Sequence, residues 1–408
     1  MNIAVLYGGK SGEHEVSLRS ASSVVRHINR TKHTIILIGI AKDGRWYLQS
    51  QNELTRVLAD DSAFLRIDEN PACLMRIVPG GGAKAALQSA VNLEGRARKP
   101  DESHAVETDI VLPVLHGSYG EDGLVQGLLE MAELPYCGCT ALSSALAMDK
   151  EQTKKVWMQE GLQVVPFVCI TNADMQYEGS APRQDSSAPH LDGSAAQSGG
   201  FEKIAASAEK QFGYPLFVKP VCAGSSVGAA KAHSREELKA AVENAFLWDE
   251  KVLIEQCIDA REIECSVTGN AAISASGKTA VKSYTPGEIA PAHGFYDYDA
   301  KYTDPDGARL LIPAPLTEEE AQRVKTIAEK AYRALDCSGL ARVDFFIDKK
   351  DGTLYLNEIN TLPGFTSISM FPKMCEAAGL AYEELIELLL EQGIERFKKR
   401  RSLKTSFV

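Results

Sequence analysis

The opening of the chain limits its fold more than any other stretch. Ile3 to Tyr7 is an unbroken apolar run that reads as a strand, and a glycine-rich turn follows it. Val16 to Ile28 then has helical spacing, and Thr34 to Ile40 is a second strand. Strand, helix and strand in this order predict a parallel sheet with ligands held at the carboxyl ends of its strands. A further strand, Asp109 to Leu115, leads into His116-Gly117. Residues 49 to 107 are poorly periodic and read as an insertion with weak strand-like stretches.

Farther along, Ala141 to Glu160 reads as one helix and Leu216 to Pro220 as a strand. Between them, residues 180 to 200 are rich in Ser, Ala, Gly and Pro. Such a stretch buries too little apolar surface to order itself, so a mobile surface excursion is expected. From Val252 onward strands dominate, a helix is expected over Thr317 to Leu335, and another begins at Tyr382. With 408 residues the chain is long for one domain, and two or three are expected.

A net charge of −11 argues against a general nucleic-acid binder, which needs a basic face. The one basic cluster, Lys398 to Arg401, reads as a solvated helix end that complements the helix dipole. Nine cysteines, an odd number without zinc-like spacing, read as buried thiols rather than a disulfide framework. No run approaches eighteen apolar residues and no leader-like segment precedes the first strand, so a cytoplasmic protein without membrane spans is expected.

The chemistry concentrates toward the C-terminus. Asp344 lies in one strand-like run, and Glu358 and Asn360 lie in the next. Alternation puts Glu358 and Asn360 on one face. Three hard oxygen ligands of this kind suit Mg²⁺, which favours one or two carboxylates together with substrate phosphates. Two lysines fit phosphate work: Lys150 at a helix start, and Lys219 ending a strand before the loop Ala223 to Ala229, which contains Ser225 and Ser226. Each lysine alone would pass for a solvated surface residue.

Other signals are weaker singly. A strand ending in Glu255-Gln256 could present donors and acceptors to an adenine edge, with Glu262 near the ribose. Glu13, on the first turn, could hold a substrate ammonium, although a plain turn with Ser17 as helix N-cap reads as well. His116 could orient a substrate carboxylate, with Glu121 fixing its tautomer. The polar, aromatic stretch Gly287 to Asp304 has the character of a lid, from which Lys301 could reach a transferring phosphoryl group.

Taken together, the motifs GGKSGEHEVS, HGSYGEDGLVQG, MDK, VKPVCAGSSVG, LIEQ, EIECSV, AKY, ARVDFF and NEINTLPGFTSIS closely resemble the D-alanine–D-alanine ligase family, in that family's order and over nearly the whole chain. The resemblance implies an α/β, three-domain ATP-grasp architecture. Residues 1–144 would form a parallel-sheet, Rossmann-like N-terminal domain. Residues 145–254 would form a central ATP-grasp domain with the excursion near 175–200, and residues 255–408 a C-terminal ATP-grasp domain.

It also implies ATP-dependent joining of two D-alanine molecules through a D-alanyl phosphate, for peptidoglycan precursors. Asp344, Glu358 and Asn360 match ligands for two Mg²⁺ ions, for which Mn²⁺ can substitute. Lys150, Lys219, Ser226, Glu255, Gln256, Glu262, Lys301 and Asn357 match the nucleotide site. Glu13, Ser225 and Tyr302 match groups around the first D-alanine, and Arg342 and the Gly364 N–H match oxyanion stabilisers. His116, Glu121, Ser369 and Met370 match the amino-acid sites, and Tyr302 with Met370 points to D-alanine as second substrate. The resemblance further suggests a homodimer, with no nucleic-acid or membrane partner. Another ATP-grasp carboxylate–amine ligase is the nearest rival. A nucleotide-binding regulatory protein without catalysis is the rival from another class.

Overall fold

The computed structural model describes residues 1–89, 104–176, 200–291, 308–366 and 368–404. The strand Asn2–Gly8 is central to the first sheet, between Thr34–Ile40 and Ile110–Val114, and pairs parallel with both. These three strands are apolar and almost wholly buried, as expected where both faces of a sheet are covered. Trp46–Leu48 adds an antiparallel edge beside Thr34–Ile40. The insertion-like stretch holds the helix Gln51–Ala59 and a small antiparallel sheet of Met75–Ile77, Leu87–Ser89 and His104–Ala105.

Two antiparallel sheets follow. The second has the order Ala230–Ala232, Leu216–Pro220, Lys251–Gln256, Phe167–Thr171. The third runs Ala308–Leu311, Gly287–Pro291, Ala260–Asn270, Ser338–Asp348, Leu354–Asn360, and Lys282–Ser283 pairs with Ala260–Asn270. The helix Glu318–Ala334 begins with the expected signal: Thr317 accepts from the Glu320 N–H, and Glu320 reaches back in a capping box. The Ser/Ala/Gly-rich excursion and most of the lid-like stretch, with Lys301 and Tyr302, lie outside the described residues.

One helix expectation needs correction. Ala141 to Glu160 is not a single helix but two, Ala141–Met148 and Lys150–Gln159, broken at Asp149. Asp149 leaves helical geometry, and its carboxylate accepts from the Gln152 N–H at 3.0 Å, capping the second helix. Lys251 fixes the same carboxylate from the second sheet at 2.5 Å. The break places Lys150 at the first position of a new helix.

The last helix, Tyr382–Arg401, packs back on the first sheet. Leu385, Ile386, Leu389 and Leu390 share a core with Ile3, Val5, Ile110 and Leu112. Its basic end forms exposed ion pairs, Arg400 with Glu130 and Arg401 with Glu133, of the kind that contribute about 0–1 kcal/mol each. Arg396 is buried instead. It donates to the carbonyls of Gly138 and Tyr136, the latter at 2.8 Å, and its guanidinium stacks 4.3 Å from the Tyr136 ring. Replacement by alanine strands two buried carbonyls and removes the stacking contact. Arg396→Ala is expected to lower stability by about 2–4 kcal/mol, read as a lower urea midpoint.

Candidate functional site

A cavity of about 1080 Å³ opens between the carboxyl end of the parallel sheet and the two antiparallel sheets. Every residue matched above to a ligand site borders it, except Lys301 and Tyr302, which are outside the described residues.

The oxygen cluster rests on two neighbouring strands of the third sheet. Arg342 pairs in register with Asn360 and Asp344 with Glu358, and the register then slips so that Phe345 faces Leu356. Asn357 is the extra residue of this bulge. Strict alternation would turn Asn357 to the face opposite Glu358. With the bulge, Leu356 and Ile359 are buried while Asn357, Glu358 and Asn360 all border the cavity. Asp344 accepts two bonds from Arg342, each 2.7 Å, and one from the Asn360 amide at 2.9 Å. Glu264, unnoticed in the sequence, lies 3.1 Å from Arg342 Nε. Its signal was there: Glu262 and Glu264 alternate on one strand, and Glu264 stands opposite Asp344.

Burial would strip Arg342 of its charge, but Asp344 and Glu264 outweigh that and hold it firmly cationic. The bidentate pair uses Nε and Nη2, and Nη1 takes part in neither contact. Among the described residues no three His, Cys, Asp or Glu side chains form a metal cluster by themselves. The set here is two carboxylates at directly opposed strand positions plus one amide, all hard oxygen donors at the cavity wall. That chemistry fits Mg²⁺ completed by substrate phosphates, not a full protein cage.

Lys150 donates to the Ala223 carbonyl at 2.9 Å and lies 3.5 Å from Glu358. Lys219 donates to Asn357 Oδ1 at 3.1 Å. Glu255, expected at an adenine edge, borders the cavity but is almost fully buried: one oxygen lies 2.9 Å from Lys219 and the other 2.9 Å from Lys154. Burial opposes its charge, but Lys154 and Lys219 prevail and keep it ionised. Burial pulls Lys154 down to about 8, with Glu255 working against the shift. Lys154 was missed in the sequence. Its helical spacing from Trp157 and Lys150, on one buried face, was the available signal. Glu262 and Gln256 border the cavity beside this group.

Ser225, in the loop after the Lys219 strand, donates to Glu13 at 2.5 Å, joining residues far apart in sequence. Ser225 and Ser226 have φ of 52° and 58°, so the loop holds two side-chain-bearing residues in the left-handed region. Ser17 is not an N-cap. It sits inside the helix His14–His27, accepts from the Gly8 N–H at 2.8 Å and bonds the Val114 carbonyl, which fixes the turn carrying Glu13.

Nor does Glu121 set the His116 tautomer. His116 Nδ1 lies 2.9 Å from the Leu362 carbonyl and must donate to it, so Nε2 accepts from Ser20 at 2.9 Å. Glu121 is 3.9 Å from the ring and instead accepts from the Gly117 N–H. Burial holds His116 below its usual range, hence neutral. Burial, then the nearby Glu13, pushes Glu121 up to about 8.

Ser369 Oγ accepts from the Thr366 N–H at 3.0 Å, and a β-carbon added at Gly364 would come within 3.0 Å of it. Met370 borders the cavity at its edge and is otherwise buried with Ile289 and Met374, its methyl occupying the space beside Gly287.

Two family models match consecutive stretches: D-ala D-ala ligase N-terminus over residues 2–139 and D-ala D-ala ligase C-terminus over residues 193–391. A D-alanine–D-alanine ligase of Treponema denticola is 51% identical over 405 residues, covering 99% of this chain and 99% of its own. The chain belongs to the D-alanine–D-alanine ligase family. A second member, from Treponema pallidum, is 43% identical and covers 99% of this chain and 91% of its own. The solved D-alanine–D-alanine ligase of Coxiella burnetii superposes with a TM-score of 0.76 at 32% identity, covering 98% and 96%. VanG D-Ala:D-Ser ligase of Enterococcus faecalis gives 0.73 at 33%, covering 96% and 99%. The architecture is the family's ATP-grasp fold, with the mixed sheets described above.

The Glu121 carboxyl makes stability depend on pH in a defined direction. Its value rises on folding from 4.5 to about 8, so the folded state binds the extra proton between these limits. The stabilisation is complete below pH 4.5 and is lost as pH rises through about 8. Urea midpoints of the unliganded protein should therefore fall from pH 5 to pH 8.5, and Glu121→Gln should flatten that fall. Equal slopes for the two proteins would show that Glu121 ionises normally.

Proposed function

We propose that this chain joins two D-alanine molecules at the expense of ATP, through a D-alanyl phosphate, and so supplies a peptidoglycan precursor. One observation carries the reading above the family relationship. The Glu13–Ser225 bond links an acid suited to an ammonium with a loop suited to phosphates, across the cavity that also holds Arg342.

The first D-alanine would enter with its ammonium toward Glu13, next to the loop serines. Its carboxylate then faces the γ-phosphoryl group held by Lys150 and Lys219. Attack breaks the bond between the β- and γ-phosphates, gives an acyl phosphate and releases ADP, and the second amine then attacks the acyl carbonyl. Arg342 and the Gly364 N–H face the oxyanion that develops there. The second ammonium must lose one proton before its amine attacks, and the balance closes when the adduct nitrogen loses another and the carbon–oxygen bond to phosphate breaks. Asp344, Glu358 and Asn360 would hold Mg²⁺, which when bound screens the phosphate charge. The lid-like stretch with Lys301 and Tyr302 would exclude water, since an exposed acyl phosphate hydrolyses. Nine free thiols and the use of ATP support a cytoplasmic setting.

D-Alanine is favoured over D-serine as the second substrate, because position 370 carries a methionine packed among apolar side chains rather than a polar group. Phosphate release on adding D-alanine, ATP and Mg²⁺, with D-serine and D-lactate competing, tests the whole reading. A chain silent toward D-alanine would overturn it. Arg342→Ala should lower turnover about 10²–10³-fold, well beyond any loss of folded protein seen by circular dichroism. Tyr302→Phe should raise D-lactate incorporation near neutral pH, measured as the ratio of depsipeptide to dipeptide product.

A further inference from the structure

Lys154 has no part in the chemistry above, yet it is a lysine with no solvent exposure. It does not border the cavity. An ammonium is costly to enclose unless it is paired, and here the partner is Glu255 Oε1 at 2.9 Å. The Val165 carbonyl at 3.5 Å and the Phe167 ring, 5.6 Å to its centroid, complete the surroundings. The second Glu255 oxygen lies 2.9 Å from Lys219 Nζ, and Lys219 reaches the cavity and Asn357. Glu255 is thus a buried bridge with a cation on each oxygen, one facing the ligand space and one behind it.

The order of charges matters. Lys219 beside Glu255 alone would be a neutral pair, and a phosphate meeting that ammonium would meet a carboxylate directly behind it. A second cation on the far oxygen restores a net positive charge at the cavity wall. We propose that Lys154 is a positioning residue for nucleotide binding: it neutralises Glu255 from behind, so that the Lys219 ammonium remains available to a phosphate. This rests on the phosphate reading of the cavity. It concerns only the polyanionic ligand, because Lys154 and Glu255 make no contact with Glu13, the acid suited to the amino-acid ammonium.

The test is titration calorimetry of ATP in magnesium buffer without D-alanine, on the full-length wild type, Lys154→Met and the double variant Lys154→Met, Glu255→Gln. Methionine keeps the length of the side chain and removes its charge. The single variant should raise the Kd for ATP about tenfold or more, and the double variant should return it to within about threefold of wild type. In turnover, the single variant should raise KM for ATP and leave KM for D-alanine within about twofold. A purely structural lysine would lower stability and shift KM for ATP and for D-alanine together, not KM for ATP alone. Equal ATP affinity of Lys154→Met and wild type, or a double variant as weak as the single, overturns the proposal. If circular dichroism shows the single variant unfolded, the double variant decides by the same threefold criterion. A wild type that binds no ATP overturns the phosphate reading itself and this proposal with it.

Discussion

Acids crowd this cavity, and the fold is arranged so that each meets a positive or hydrogen-bonding partner from a different part of the chain. Asp344 and Glu264 share Arg342, Glu358 lies beside Lys150, and Glu255 spans Lys154 and Lys219. In a poorly solvated site an unpaired carboxylate is expensive, so these pairs couple formation of the site to formation of the sheets. The partners reach each other only because the third sheet is in register and the helix start at Lys150 is fixed by Asp149 and Lys251. The charges are also unevenly spread. Glu13 and Glu121 stand at the end suited to an ammonium, while Lys150, Lys154 and Lys219 gather at the end suited to phosphates.

Local signals made much of this readable in the sequence. The strands Thr34–Ile40 and Leu216–Pro220 have the limits their apolar runs predict, because nothing but burial decides them. Residues such as Glu13, His116 and Lys219 were conspicuous at strand ends and glycine-rich turns, where a side chain is free to serve a ligand. Tertiary partners decided what could not be read. The break at Asp149 depends on Lys251, a hundred residues away. The inward turn of Asn357 depends on a bulge that strand periodicity does not announce. Glu255 was visible as an acid at a strand end, whereas its pairing with two lysines was not.

The parallel sheet governs the segment Leu362 to Phe365 from a distance. Leu362 and Phe365, on either side of Gly364, belong to the same core as Ile3 and Leu389, and the Tyr382 hydroxyl bonds the Phe365 carbonyl. His116, at the end of a first-sheet strand, bonds the Leu362 carbonyl from the other side. The Gly364 N–H is therefore held between the N-terminal sheet and the C-terminal helix rather than by its own loop. A neutral His116 suits this task, since it can donate at Nδ1 and accept at Nε2 at once, which an imidazolium cannot. Misplacement of a reacting group by about 1 Å can cost 10²-fold in rate. Packing at Leu389 or Tyr382, remote from substrate, thus acts on the same geometry as the residues lining the cavity, through the backbone at Leu362 to Phe365.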